Sequence, residues 1–223
     1  MNRMVECGVA AVFCLAAGVC TAQDSFGGGG VRPQPPAGQA PAQPVPGFPA
    51  PARPAAAAPT GDLDKLMAVE RQDFGVAPKD ELHNGAMHGP TPASIPGGQL
   101  ITTKGLVALV QGKQAPYLLF DVLGSQEMLP GAIPAVGAAQ PGSFGDDVQR
   151  SFGAYLDQTT RGDKRTPLVF YCQSTQCWMS YNAALRAIKL GYSNVLWYRG
   201  GIESWKAAGQ PLQRAQRADQ RPQ

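Results

Sequence analysis

The sequence has few charged residues, no dense basic block and no long hydrophobic run. Of its 223 residues 16% are charged, and the formal net charge is +3. No segment approaches the ~20 consecutive apolar residues of a membrane-spanning helix, so we expect no membrane span in the mature chain. Lysine and arginine are neither clustered nor interleaved with aromatic residues, which argues against a nucleic-acid ligand. The length suffices for one domain of ordinary size with appendages.

Histidine is scarce, and both copies lie in one loop. His83 and His88 flank Met87 in a stretch rich in turn-forming residues. Imidazole and thioether groups suit copper or zinc, which leaves a metal site open as an interpretation. No third strong ligand accompanies them, however, and histidines of a surface loop also hydrogen-bond to the backbone. We therefore expect no metal and no cofactor.

The first 22 residues have the layout of a secretory signal peptide. Arg3 precedes an apolar run from Val9 to Ala17, and the segment ends in small residues at Ala22. This pattern predicts cleavage after Ala22 and secretion into an oxidising compartment, a bacterial periplasm. Of the five cysteines, the mature protein would then keep only Cys172 and Cys177.

Composition divides the rest of the chain into four parts. Residues 23–60 are rich in Gly, Pro, Ala and Gln with hardly a charge, which predicts a linker that cannot form a core. For residues 61–98 the sequence predicts a short helix capped by Asp62 and then a loop, which together form an N-terminal extension. The regular pattern of a folded domain covers residues 99–212. Residues 213–223 are a polar tail that we expect to fray.

The domain pattern alternates strands and helices. Short apolar runs covered on both faces, separated by helices, predict an α/β domain with a mostly parallel central sheet flanked by helices. The predicted strands are 99–102, 117–122, 168–171 and 194–198. The predicted helices run from Thr102 or Thr103 to Gly112, from a cap at Ser143 to Thr160, from the cysteine loop to Gly191, and from Ile202 to Gly209.

Cys172 directly follows the predicted strand 168–171 and faces the start of the next helix. Unpaired backbone N–H groups and the helix dipole favour a thiolate at such a place. Cys177 lies five positions on, which we predict to be the first helical turn, and the two sulfurs can come close enough for a disulfide. We expect Cys172 to be the more exposed and more acidic thiol, and Cys177 to be the resolving or packing member. Whether the pair is oxidised at rest stays open.

The loop after Cys172 excludes one cysteine chemistry and leaves two. A cysteine phosphatase needs an arginine six positions after its nucleophile to clamp phosphate, and Trp178 holds that position. Sulfur transfer through a persulfide and thiol–disulfide exchange with Cys177 both remain possible.

These residues resemble the rhodanese-like domain of sulfurtransferases over residues 99–212. The motifs that carry the resemblance are Asp121-Val122 after a strand, Pro130-Gly131-Ala132, Cys172 between strand and helix, and Gly200-Gly201 followed by Trp205. The resemblance implies a three-layer domain in which Cys172 forms a persulfide. It also implies a small sulfane-sulfur donor or a thiol acceptor as partner.

Further site residues follow from the same resemblance. The backbone of the loop would cradle the persulfide, and its members are Gln173, Ser174, Thr175 and Gln176, with Trp178 packed over them. Asp121 would either help to fix the loops around the site or simply cap its strand, and both roles stay open. Leu123 stands where the family usually has an arginine, which argues against substrate anchoring at that position. The neutral cradle lacks the cationic side chain that would select thiosulfate, which favours another sulfur donor or a protein acceptor.

The segment Cys177-Trp178-Met179-Ser180 also resembles a subset of periplasmic rhodanese-like proteins named for a Cys-x-x-Cys-Trp motif. These accompany alcohol oxidation by enzymes that use pyrroloquinoline quinone (PQQ). Ser174 stands three positions before Cys177, so the match to the motif is incomplete. The resemblance implies an alternative function, a non-catalytic binding module or a thiol–disulfide partner of a periplasmic quinoprotein dehydrogenase system.

Overall fold

A parallel sheet of five strands forms the centre of the computed structural model, which describes residues 62–112 and 116–215. In chain order the strands are β1 (Gln99–Ile101), β2 (Leu118–Asp121), β3 (Glu127–Met128), β4 (Ile133–Pro134), β5 (Leu168–Tyr171), β6 (Val195–Tyr198) and β7 (Gln213–Arg214). The central sheet has the order β1-β6-β5-β2-β4, and each neighbouring pair is parallel. Strands β3 and β7 form a separate antiparallel pair. The predicted signal peptide and linker, residues 1–22 and 23–60, lie outside the described residues.

Helices cover both faces of the sheet, which confirms the predicted α/β fold. They are α1 (Leu63–Glu70), α2 (Thr103–Gly112), α3 (Asp147–Thr160), α4 (Met179–Lys189) and α5 (Gly201–Ala207), with a 3-10 turn at Val136–Ala139. Helices α3 and α4 pack in the core on one face, and α2 and α5 contribute to the core on the other. In the part of the chain that the structure describes, no helix is long and apolar enough to cross a bilayer.

Strand β5 shows why this sequence forms a doubly covered sheet. All four of its side chains are buried. Leu168 and Phe170 pack into the core beneath α3 and α4, while Val169 and Tyr171 pack into the core beneath α2 and α5. A strand whose alternate side chains both meet apolar partners needs the continuous apolar run seen here. The strand therefore lies at the centre of the sheet and ends at Cys172.

The start of helix α3 differs from the sequence prediction. The helix begins at Asp147, and its cap is Asp146, whose carboxylate accepts the Gln149 N–H at 2.7 Å. Ser143, the predicted cap, instead accepts the N–H of Gly145 at 3.3 Å and forms a turn ahead of the helix. The prediction was wrong here because both side chains are good caps, and only the later one precedes an uninterrupted helical backbone.

The C-terminal tail is ordered where it was predicted to fray. Gln213 and Arg214 pair with Met128 and Glu127, so the prediction is wrong for these two residues. The Trp205 indole N–H donates to the carbonyl of Pro211 at 2.8 Å and holds the chain on the domain as it enters β7. Residues 216–223 lie outside the described part of the tail.

Candidate active site

The cysteine loop, residues 172–178, lies at the carboxyl edge of the central sheet, between β5 and α4. Ligand sites of open parallel sheets form at this edge. Helix α5 holds the loop from one side, because the Ile202 N–H donates to the carbonyl of Cys172 and the Glu203 N–H to the carbonyl of Gln173, both at 3.0 Å. The Gln173 side chain also donates to the Glu203 carboxylate at 2.7 Å.

The Gly200-Gly201 pair is needed for this close approach. Gly201 has φ +62°, and a Cβ atom there would lie 2.5 Å from the Gln173 carbonyl oxygen and 2.6 Å from that of Cys172. A side chain on Gly200 would collide with the carboxylate of Glu70. A larger residue at Gly201 would force the backbone of the cysteine loop to move, and one at Gly200 would displace the Glu70 carboxylate.

The N-terminal extension covers the loop from the other side. His88 and Cys177 form an isolated antiparallel bridge. The Gly89 N–H donates to the carbonyl of Gln176, and the Trp178 N–H donates to the carbonyl of Met87, both at 2.9 Å. The extension is therefore part of the site, and it brings a histidine next to a cysteine.

Trp178 and His83 seal the loop by stacking. Their rings are 4.1 Å apart with an interplanar angle of 9°, and Trp178 is 4% exposed. The His83 Nε2 atom lies 2.9 Å from the carbonyl oxygen of Ala86. This contact and the stacking on Trp178 give the His83 imidazole a packing role. Among the described residues no group of three or more His, Cys, Asp or Glu side chains could hold a metal ion.

Cys172 lies in a hydrogen-bonded pocket of the core. Its sulfur is 3.1 Å from the Ser180 hydroxyl oxygen, and its thiol donates to the carbonyl of Cys177 at 3.3 Å. The Trp197 indole N–H donates to the same Ser180 oxygen at 3.0 Å, so the Ser180 hydroxyl hydrogen is free to point at Cys172. Burial raises the pKa of the Cys172 thiol well above its usual range.

Cys177 has a different set of neighbours. The Cys172 thiol and the backbone N–H groups of Gln173 and Met179 lie beside its sulfur. The neighbouring Cys172 thiol, together with these N–H groups and the charge of His88, lowers the pKa of Cys177 to about 6.

The two sulfurs overturn three sequence predictions. Cys172 and Cys177 are each 1% exposed, so Cys172 is not the more exposed thiol, and it is also the less acidic one. Cys177 does not belong to the first helical turn, because α4 begins at Met179 and Cys177 pairs with His88. The predictions were wrong because residues outside the loop set the environment of each sulfur, Ser180 for Cys172 and His88 for Cys177.

Asp121 caps the end of its strand. Its carboxylate accepts the N–H groups of Leu123 at 2.8 Å and Gly124 at 3.2 Å. Asp121 lies opposite Tyr171 in the sheet, and burial together with this carboxylate raises the pKa of Tyr171. A role of Asp121 in fixing the loop that begins at Cys172 stays a prediction.

Arg199, Thr91 and Glu70 were missed in the sequence. The buried Arg199 side chain donates to Thr91 Oγ1 at 2.9 Å and to the backbone carbonyl of Glu70 at 2.8 Å. Thr91 in turn donates its hydroxyl to the carbonyl of Thr175 in the cysteine loop at 2.7 Å. The Glu70 carboxylate accepts the Thr103 N–H at 2.8 Å, and burial raises the pKa of Glu70. An arginine between an apolar strand and Gly-Gly was the one available signal.

An open cleft of about 1090 Å³ lies beside the loop. Gln173 and Glu203 line it, together with Leu123 from the end of β2 and the cations of Lys206 and Arg214. The two sulfurs do not line this cleft. It is a polar depression next to the loop, large enough for a small anionic or thiol-containing molecule.

Comparison with solved structures finds low sequence identity throughout. The chain is similar to the rhodanese-like domain of an Anabaena sp. protein, with 15% identity and a TM-score of 0.39 over 52% of this chain and 79% of that one. It is similar to a Pseudomonas aeruginosa thiosulfate sulfurtransferase, with 20% identity and a TM-score of 0.40 over 53% of this chain and 21% of that one. A Rhodopseudomonas palustris protein of unknown function, described as a possible tyrosine phosphatase, shares 22% identity with a TM-score of 0.39, over 52% of this chain and 84% of that one.

Comparison with protein families assigns the folded region. No curated protein sequence matches the chain. The family model of the rhodanese-like domain matches residues 103–208, within the predicted range 99–212. This range contains the cysteine loop and the Gly200-Gly201 pair with its closing Trp205. Residues 103–208 of the chain are a rhodanese-like domain.

Proposed function

We propose that this protein is a sulfurtransferase that carries sulfane sulfur as a persulfide on the cysteine loop. The observation that supports it is the position of both cysteines in the loop between β5 and α4, at the carboxyl edge of the sheet, with the Cys172 sulfur 3.3 Å from the carbonyl oxygen of Cys177. The backbone N–H groups of Gln173 and Met179 lie beside the Cys177 sulfur. Such N–H groups stabilise an anionic persulfide. The family resemblance assigns the persulfide to Cys172, and the five-residue spacing supports Cys177 as its redox partner.

The proposed chemistry transfers one sulfur atom in two displacements. A cysteine thiolate attacks the outer sulfur of the donor, a new S–S bond forms, and the donor's S–S bond breaks as its leaving group departs with the electron pair. An acceptor thiolate then attacks the outer sulfur of the persulfide and releases the cysteine thiolate. No oxidant is consumed. The polar cleft beside Gln173 offers a place for the donor or for the acceptor.

The same loop argues against phosphate chemistry. Residues 172–178 contain no arginine, and Trp178 is buried against His83 where a phosphate clamp would be needed. Arg199, the nearest buried guanidinium on the extension side, is bonded to Thr91 and to backbone carbonyls. A phosphate dianion would therefore lack a bidentate partner in the loop.

Thiol–disulfide exchange is the second candidate function, favoured by the closeness of the two residues, since the Cys172 sulfur lies 3.3 Å from the carbonyl oxygen of Cys177. Oxidation would remove two electrons and two protons from the pair, with a disulfide or a quinone of a partner protein as the oxidant. Location in the periplasm rests on the signal-like residues 1–22. A link to PQQ-dependent dehydrogenases rests on the resemblance around Cys177 and Trp178 alone.

The test is an intact-mass measurement. The purified protein is reduced, freed of reductant and incubated with thiosulfate or with inorganic polysulfide. We expect a gain of about 32 Da, which reduction removes. A variant with both Cys172→Ser and Cys177→Ser should gain nothing, whereas Ser193→Ala, which removes an exposed hydroxyl ahead of β6, should gain as much as the wild type. A wild type that gains no mass with either donor would overturn the proposal and favour a non-catalytic binding module.

A further inference from the structure

The partners of Cys172 keep it protonated. The carbonyl oxygen of Cys177, 3.3 Å from its sulfur, can only accept a hydrogen bond, so this contact requires the thiol hydrogen. A thiolate at Cys172 would face that carbonyl at short range inside the core. Ser180 offers its hydroxyl at 3.1 Å and its backbone N–H as donors, but burial outweighs them, and the pocket is closed to water because Cys172 and Ser180 are each 1% exposed. The geometry therefore favours a neutral thiol.

The partners of Cys177 favour the thiolate. The backbone N–H groups of Gln173 and Met179 lie beside its sulfur and favour its anionic form. Met179 is the first residue of α4, so its N–H has no partner within the helix. The start of the helix therefore serves the Cys177 sulfur, which is the arrangement that the sequence predicted for Cys172.

His88 is the titratable side chain of the extension that lies beside Cys177. The hydrogen bonds Gly89 N–H to Gln176 and Trp178 N–H to Met87 flank the bridge, so His88 and Cys177 are its non-hydrogen-bonded pair. In such a pair the Cα atoms are about 4.5 Å apart and the two side chains lie on the same side. His88 is exposed while Cys177 is buried, so the bridge pairs a solvent-exposed imidazole with a buried thiol. The other histidine, His83, is stacked on Trp178.

We infer that Cys177 is the thiol that first accepts the sulfur, that His88 takes up its proton, and that Cys172 is its neutral hydrogen-bonding partner. This rests on the proposed function and reverses the assignment of the two cysteines that the family resemblance implies. The proton moves from the Cys177 sulfur to the His88 imidazole, and the resulting ion pair forms at the contact between the extension and the loop.

The sulfur-accepting step then balances without a further reagent. With thiosulfate, the Cys177 thiolate attacks the outer sulfur, the S–S bond of thiosulfate breaks, and sulfite leaves with the bonding electrons. The anionic persulfide stays within reach of the Gln173 and Met179 N–H groups. A donor reaches Cys177 only when residues 87–89 move aside, since two backbone hydrogen bonds hold them over the sulfur.

The site of the adduct distinguishes the two cysteines. Cys172→Ser and Cys177→Ser are each incubated with thiosulfate, and fragmentation of the adduct peptide between positions 172 and 177 locates the added sulfur, in the wild type as well. We expect the adduct on Cys177 in the wild type and in Cys172→Ser, and at least a ten-fold smaller yield in Cys177→Ser. The wild-type mapping decides the question even if one variant folds poorly.

The role of His88 is tested by the pH dependence of iodoacetamide labelling, with Cys172 the other titratable group facing Cys177. In Cys172→Ser protein, replacing His88 by Gln should move the labelling midpoint of Cys177 to higher pH and slow labelling at pH 6 several-fold. His83→Gln, the matched histidine substitution, should leave the midpoint in place. An unchanged midpoint in His88→Gln would overturn the assigned role of His88.

The outcomes separate this inference from the proposed function. An adduct found on Cys172 in the wild type, and lost in Cys172→Ser but kept in Cys177→Ser, would overturn the inference and leave sulfur transfer intact. A wild type without any adduct would overturn sulfur transfer itself.

Discussion

Cys172 and Cys177 are equally buried, yet the hydrogen-bond partners of their sulfurs differ. The Cys172 sulfur has the Cys177 carbonyl beside it, which requires a thiol hydrogen, whereas the Cys177 sulfur lies beside the backbone N–H groups of Gln173 and Met179. The sequence identified the loop and both cysteines. It could not show which of the two is more acidic, because Cys177 pairs with His88, whose position on the loop depends on how the extension folds back.

Asp146 and Arg186 form an ion pair on which the stability of the fold depends. The fully buried Arg186 guanidinium donates to both carboxylate oxygens of Asp146, each at 2.9 Å. Asp146→Ala should lower the free energy of unfolding by about 3 kcal/mol, because it removes the counter-charge of a buried cation. Urea unfolding measures the loss. Asp147→Ala, which removes the exposed neighbouring carboxylate, should cost under about 1 kcal/mol.

The same pair predicts a pH dependence. The Arg186 side chain holds the pKa of Asp146 well below its usual range. A carboxyl whose pKa is lower in the folded than in the unfolded state stabilises the fold above its ordinary pKa, and loses that contribution as the pH falls below about 4. The stability difference between wild type and Asp146→Ala should therefore shrink below pH 4. A difference that stays constant down to pH 2 would contradict the assigned ion pair.

At the scale of elements, the N-terminal extension is held on the cysteine loop by a few buried hydrogen bonds. Thr91 connects Arg199, at the end of β6, to the carbonyl of Thr175 in the loop. The sequence predicted α1 with its Asp62 cap and a loop after it. It did not predict the docking, because hydrogen bonds between residues far apart in sequence leave no periodic pattern in either segment.

Thr91→Val tests whether this docking protects the sulfurs. Valine keeps the shape of threonine but loses the hydroxyl, so Arg199 Nε and the carbonyl of Thr175 are left without that partner. We expect a loss of about 2 kcal/mol in the free energy of unfolding and faster alkylation of Cys177 by iodoacetamide. The matched control is Thr159→Val on α3, whose exposed hydroxyl bonds only to its own helix. Labelling of Thr91→Val at the wild-type rate would show that the extension does not guard the loop.

At the scale of the whole molecule, the α/β architecture could be predicted because each central strand is a continuous apolar run. Strand β5 illustrates this, since all four side chains are buried and both faces need apolar partners. The Gly200-Gly201 pair was recognised as a motif, and the structure gives its physical reason in the approach of Gly201 to the carbonyl of Cys172. The pairing of Gln213 and Arg214 in β7 was not predictable, because these two polar residues pair with β3 through backbone groups.

Transfer of a bound sulfur atom to an acceptor tests the central claim most directly. The protein is loaded with thiosulfate or with inorganic polysulfide, freed of excess donor by gel filtration and mixed with cyanide, which attacks the outer sulfur of a persulfide to give thiocyanate. The account predicts that the adduct of about 32 Da disappears while about one equivalent of thiocyanate forms per loaded chain, and that the double cysteine variant forms none. A wild-type protein that never acquires the adduct, or an adduct that persists in cyanide, would contradict the account.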